Sequence, residues 1–275
     1  MISIITAIHN QLPMNRLFYE KLVRYTRNKF ELIIIDNASD DGSREFFESK
    51  GAVVIRNDAN YAYAHCQNQG IAVAKFNILA FFNNDIIVSD GWDEKVFAIM
   101  NNKGFDIVTC AANDRMESLH VTGMMHKRWM RSRNPLLFFF GQRLFSLRLM
   151  HRFMYGNWDH FTKERFNQFG DRSSDGISGS NVIMTRSSLD KIGLWDETIQ
   201  GADFDIFLRT KKRQLEKGDI KPIQVLLGVY FHHYSRMTVR SKPRSFENQH
   251  KLINLLDKWD KQEAQKMLEG TGLMI

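Results

Sequence analysis

Over roughly the first 110 residues, short runs of β-branched and aromatic residues alternate with longer stretches of helical spacing, which is the strongest constraint on the fold. The runs are 2–8 (ISIITAI), 31–36 (ELIIID), 52–56 (AVVIR), 77–83 (NILAFFN) and 105–110 (FDIVTC). Between them, 13–28, 43–49, 62–75 and 91–102 place apolar residues at helical intervals. Strands separated by helices predict parallel βαβ units with helices over both faces of a sheet, an α/β Rossmann-like half over residues 1–112. Ligands of such sheets lie beyond the carboxyl ends of the strands. The rule singles out Thr6 to Asn10, Asp36 to Asp41, Arg56 to Asn60 and Asn83 to Asp85.

Past Cys110 the alternation loosens, and a basic aromatic insert at about 127–175 follows. A strand at 180–185, a helical turn from Ser187 to Gly193, a helix from Asp203 stopped by Gly218 and a strand from Leu226 to Phe231 come next. Without repeats or low-complexity tracts, residues 113–244 read as completing the same domain and not as an independent one. Residues 245–275 read as an amphipathic helical tail.

The longest strongly apolar runs fall far short of the ~20 residues that span a bilayer. No basic n-region or cleavage site opens the chain, so a cytoplasmic location is expected. Cys66 and Cys110 lack metal-type spacing and read as small buried side chains. Net charge is +7, and the insert carries much of it: Lys127, Arg128, Arg131, Arg133, Arg143, Arg148 and Arg152, with no acid until Asp159. A helix from about Pro135 would set Arg143, Arg148 and Arg152 in a partial cationic stripe. Such a surface suits either peripheral contact with anionic membrane or a solvated helical cover. No RNP, helix-turn-helix or zinc pattern accompanies the charges, so nucleic acid is not an expected partner.

The triplet Asn83, Asn84 and Asp85 interrupts an apolar run where a strand leaves the sheet. Asn and Asp cap turns, but the second acidic cluster from Asp36 to Asp41 sits at another strand end, and the two can converge on one ligand. A carboxylate beside a diphosphate needs a cation between them, and Mg²⁺ or Mn²⁺ held by one or two carboxylates plus phosphate oxygens fits Asp85. Asp36 suits hydrogen bonds from a base or ribose, or a helix cap.

Taken in order, SIITAIHN (3–10), IDNASDDGS (35–43), NYAYAHCQNQGI (60–71), FNND (82–85), GSNVIMTR (179–186), IGLWDE (192–197) and DFDIFLR (203–209) resemble glycosyltransferase family 2. That family comprises inverting enzymes with a GT-A-type fold, in which a Rossmann-like mixed sheet is flanked by helices. The resemblance implies an α/β fold of this type with a helical insert and C-terminal helices. It further implies a hexosyl-type transferase moving sugar from a nucleotide-diphosphate donor, a UDP-sugar, to a glycan or lipid-linked glycan.

By matched position, Thr6, Asn10, Asp36, Asn68, Asn83 and Asn84 would bind the nucleotide, and Asp85 would hold Mn²⁺ or Mg²⁺. In FHHYSRMT (231–238), His232 is expected as the second metal ligand, with His233 its alternative. Asp203 is expected as general base, with Asp205 behind it, because inversion requires a carboxylate to take the acceptor's proton. The resemblance is incomplete: Ala202 precedes Asp203 where the family often has an acid, Ala62 and Gln67 replace a common Gly and Arg, and Asn83 opens the acidic motif. Rival readings are a nucleotidyltransferase, although no Gly-rich phosphate loop follows the first strand, and a non-catalytic nucleotide-sugar-binding protein.

Overall fold

The structure, a computed structural model, describes residues 1–235, 237 and 245–273. Of the segments singled out above, Arg236, Thr238 and the end of the tail at 274–275 lie outside the described residues.

The first half runs β1 (Ile2–Ile8), α1 (Leu12–Tyr25), β2 (Phe30–Asn37), α2 (Ser43–Glu48), β3 (Val53–Asn57), α3 (Tyr63–Val73), β4 (Ile78–Phe82), β5 (Ile86–Ile87), α4 (Trp92–Lys103) and β6 (Ile107–Ala112). The insert is three helices, α5 (Leu119–Phe140), α6 (Leu144–Tyr155) and α7 (Trp158–Phe169). After it come β7 (Ser173–Asp175), β8 (Asn181–Thr185), α8 (Arg186–Ile192), α9 (Ala202–Lys217), β9 (Gln224–His233), α10 (Leu255–Lys258) and α11 (Lys261–Leu268).

One sheet takes the order β3-β2-β1-β4-β8-β6-β9-β5, with β7 also paired to β9. Strands β1 to β4 are parallel, as their alternation with helices predicts. β8 runs antiparallel between β4 and β6, making the sheet mixed. Successive side chains of a strand point to opposite faces. Ile34, Ala80 and Phe82 accordingly join one core layer, Ile33, Ile35, Leu79 and Phe81 the other. Both layers are dry, which is why the strands read as continuous apolar runs. Residues from α1, α4 and the insert cover the first layer, and α3, α8, α9 and α11 cover the second.

One expectation changes. The first insert helix does not begin near Pro135 but at Leu119, capped by the Ser118 hydroxyl, and Pro135 lies inside it. Buried Trp129 and Leu136 on either side of the proline hold the helix against the core through the missing backbone donor. The C-terminal tail comprises a 3₁₀ turn at Gln249–Lys251 followed by the short α10 and α11. Ile253 bridges Ile199, and Trp259 packs against Asp205, so tertiary contacts break the helical run. Cys66 and Cys110 are both buried free thiols, as expected. Among the described residues, no helix is long and apolar enough to cross a membrane.

Candidate active site

The carboxyl ends of β1, β2 and β4 open onto a cavity of about 200 Å³ lined by His9, Gln11, Asn37, Asn60, Tyr61, Tyr63, Asn83, Asn84, Asp85 and Phe246, among others. Asn10 and Gln11 both adopt left-handed backbone, turning the chain sharply from β1 into α1. The other wall is brought by the tail, where the Glu247 backbone donates to Asn60 O at 2.8 Å and the Ala62 backbone donates to Asn248 Oδ1 at 2.9 Å.

Asp85 is 5 % exposed and follows β4 directly. Its Oδ1 lies 3.2 Å from His233 Nε2, and His233 Nδ1 lies 2.6 Å from Asp114 Oδ2. Burial alone would push the imidazole down, but the carboxylates of Asp85 and Asp114 on either side hold it well above its usual range. His232, the expected ligand, does not face Asp85. It is fully buried among Trp129, Tyr155 and Tyr234, its Nδ1 2.9 Å from the Tyr155 hydroxyl, and burial keeps it neutral.

These atoms fit a divalent cation. Asp85 Oδ1 is buried and faces His233 Nε2 at 3.2 Å, and the ring is fixed from its other side by the Asp114 carboxylate. A cation bound here would take the place of the Nε2 proton, since only neutral imidazole ligates a metal. No group of three or more His, Cys, Asp or Glu suited to a metal occurs among the described residues. Asp85 and His233 would supply two donor groups and leave the remaining positions for ligand oxygens.

Asp203 stands in the first turn of α9, and its Oδ2 would be 2.1 Å from a Cβ placed on Gly179. Only glycine permits that approach. Gly179 precedes Ser180, whose carbonyl accepts from the Asn83 backbone at 3.0 Å, so the segment packed against the Asp203 carboxylate is tied to the first residue after β4. Burial raises the Asp203 carboxyl pKa above its ordinary value, against backbone N–H groups of the first helical turn that stabilise the anion. Its charge also reaches the buried Tyr63 in the cavity wall.

Asp205 has a different environment. It is fully buried, with Oδ2 2.7 Å from Arg209 Nε and Oδ1 2.8 Å from Lys258 Nζ and 2.9 Å from Trp259 Nε1. Two residues apart on a helix, the carboxylates point to different sides, and Asp205 anchors the tail.

Asn83 and Asn84, expected at the nucleotide, line the cavity. The other expected nucleotide residues do not reach its wall. Thr6 is fully buried behind Ala7 and Ile8. Asn10 ties its loop to Ser39 and Asp40 at 2.8 Å each. Asp36 is fully buried, with Oδ2 2.6 Å from Arg44 Nε and Oδ1 3.2 Å from the Ser39 backbone. Asn68 turns away to Trp195 and Glu197. Asn37 falls in the Asp36 to Asp41 stretch that the strand-end rule singled out, whereas Tyr61, Tyr63 and Phe246 were passed over. Tyr61 follows the loop after β3 and Tyr63 starts α3, close to where that rule looks, and Phe246 reaches the cleft only by tertiary folding.

The family model described as glycosyl transferase family 2 matches residues 3–193. The glycosyltransferase AglE of Haloferax volcanii is 28 % identical over 90 residues, 30 % of this chain and 29 % of that protein. The glycosyltransferase GlyG of Streptococcus pneumoniae is 25 % identical over 113 residues, 39 % of this chain and 38 % of that protein. The matches thus span well under half of these relatives. Among solved structures, the Pyrobaculum calidifontis mannosyltransferase PcManGT, in complex with GDP-Man and Mn²⁺, superimposes with a TM-score of 0.52 at 14 % identity, covering 86 % of this chain and 58 % of that one. S. aureus TarS 1–349 in complex with UDP gives 0.53 at 14 % identity, covering 84 % and 60 %. These likenesses show the GT-A fold.

Proposed function

The chain belongs to glycosyltransferase family 2, and from that premise we propose that it transfers a hexosyl group, with inversion, from a UDP-sugar to a glycan or lipid-linked glycan acceptor. The observation that carries this reading is the Asp85–His233 pair beside the cavity wall of Asn83 and Asn84; Asp203, packed against Gly179, is the candidate base.

In this reading Asp85 and His233 hold Mn²⁺ or Mg²⁺, which when bound offsets negative charge on the donor diphosphate. PcManGT was solved with Mn²⁺ and TarS with UDP, which supports a cation and a nucleotide at this cleft without identifying them here. Asn83 and Asn84 offer amides to the nucleotide, and Tyr61, Tyr63 and Phe246 provide apolar walls. Thr6, Asn10, Asp36 and Asn68 shape the cleft from behind. Asp36 and Asn10 tie down the 36–41 loop, and Asn68 fastens α3 to the segment at 195–197. Asp203 takes the proton of the acceptor hydroxyl as it attacks the anomeric carbon opposite the departing diphosphate. Burial raises the Asp203 carboxyl pKa, which makes its ionised form a stronger base than an exposed carboxylate.

Thermal shift and released nucleotide, measured across UDP- and GDP-sugars with and without Mn²⁺, test the reading. Asp203→Asn should keep the donor-dependent shift and lose transfer by about 10²–10⁴-fold. Full transfer by Asp203→Asn would remove it as the base, and no response to any nucleotide sugar would remove the reading.

A further inference from the structure

The α5–α6 corner exposes an unusual amount of aromatic surface. Phe138, Phe139 and Phe145 are 83, 72 and 63 % exposed, and Phe153, further along α6, is 62 % exposed. The rings cluster, with Phe138 and Phe139 centroids 5.1 Å apart and Phe140 and Phe145 6.1 Å apart. Along α6, Phe145, Arg148, Leu149, Arg152 and Phe153 recur at the spacing of one helix face, while Leu147, Met150 and Met154 fill the core on the other. The helix is therefore apolar on both sides, and its outer side interleaves phenyl rings with guanidinium groups.

Charge identifies the occupant. No acidic residue occurs from Leu119 to Trp158. Exposed Lys127, Arg128, Arg131 and Arg143 form no ion pair among the described residues, and only Arg148 of the outer stripe finds an acid, Glu20. A second copy of this chain would bring like charges face to face in a two-fold contact. A surface of anionic headgroups over an acyl interior accepts both components at once, cations at the phosphates and rings below them.

We propose that the α5–α6 corner is a peripheral membrane-docking surface that inserts Phe138, Phe139 and Phe145 into an anionic phospholipid interface, with Arg131 and Arg143 at the phosphates. The surface is independent of sugar transfer, and its test measures none. The full chain is floated with vesicles of phosphatidylcholine alone or of equimolar phosphatidylcholine and phosphatidylglycerol, at low and high salt.

The chain should float with the mixed vesicles alone, and salt should release it. Phe138→Ser/Phe139→Ser/Phe145→Ser and, separately, Arg131→Glu/Arg143→Glu should each weaken partitioning by about tenfold or more. Circular dichroism melts establish that each variant is folded, and the charge variant carries the test if the aromatic one is not. No flotation with mixed vesicles, equal flotation with neutral ones, or flotation undiminished in the folded variants would overturn the proposal. So would vesicle-free dimerisation in sedimentation velocity that the aromatic variant abolishes.

Discussion

His233 Nε2 lies 3.2 Å from Asp85 Oδ1, while His232, its neighbour on the same strand, is sealed among Trp129, Tyr155 and Tyr234. The exchange of roles has a structural origin. β6 pairs Cys110 with Leu226 but Ala111 with Tyr230, so three residues of β9 are skipped in the ladder. An odd skip reverses which face each later side chain meets. Gly228 permits the irregularity, because a Cβ there would stand 2.1 Å from the Gly170 carbonyl oxygen.

Removing either member of the pair should remove the cation. Asp85→Ala and His233→Ala should lose Mn²⁺-dependent stabilisation by donor, read as thermal shift across a Mn²⁺ titration. Asp114→Ala, which frees the imidazole from its 2.6 Å carboxylate partner, should weaken apparent Mn²⁺ affinity by about 10–100-fold. His232→Phe should leave Mn²⁺ affinity unchanged, and a loss there equal to that of His233→Ala would contradict the assignment.

Gly179→Ala should displace Asp203 and leave the donor cleft formed. A methyl 2.1 Å from Oδ2 cannot be accommodated without moving the carboxylate. A shift of about 1 Å at a reacting group can lower kcat by around 10²-fold. Steady-state kinetics should show that fall in kcat with donor KM little altered.

The raised carboxyl pKa of Asp203 sets a direction for pH dependence. A base works only when ionised, so kcat/KM should fall as pH drops through that pKa, with a midpoint above the ordinary Asp value. Asp203→Asn should abolish this acid limb together with the transfer it governs. A limb that persists unchanged in residual Asp203→Asn activity would assign it to another group.

Asp205→Ala should cost stability ahead of chemistry. It leaves Arg209 Nε beside a buried vacancy, takes one of two carboxylates from Lys258, which keeps Asp196, and frees Trp259, and breaking one partner of a buried pair costs about 3–5 kcal/mol. Because Lys258 is part exposed, the lower end of about 3 kcal/mol is expected, seen as a lower urea midpoint. Donor affinity of the folded fraction should be nearly unchanged.

Much of the site was legible in the chain because it depends on local order. Asn83, Asn84 and Asp85 follow an apolar strand, and any parallel strand delivers its next residues to the ligand edge. Asp203 begins a helix whose start is marked by the glycine before it and the apolar spacing after it. Thr6, Asn10 and Asp36 were found at the right edge, but their hydrogen bonds point into neighbouring loops or core, and no spacing rule encodes where a loop side chain turns.

Strand period, helix period and strand-end chemistry are local properties, and from them follow the parallel half-sheet, the buried apolar core on both of its faces and the carboxylate just beyond β4, while the ordered motifs carry the family. That His233 faces Asp85, that Asp205 anchors the tail while Asp203 stays beside Gly179, and that Phe246 closes the cleft are settled by long-range packing. Each of those depends on a register shift, a close approach or a returning chain segment. Such choices are made between residues far apart in sequence, where packing selects one face over the other.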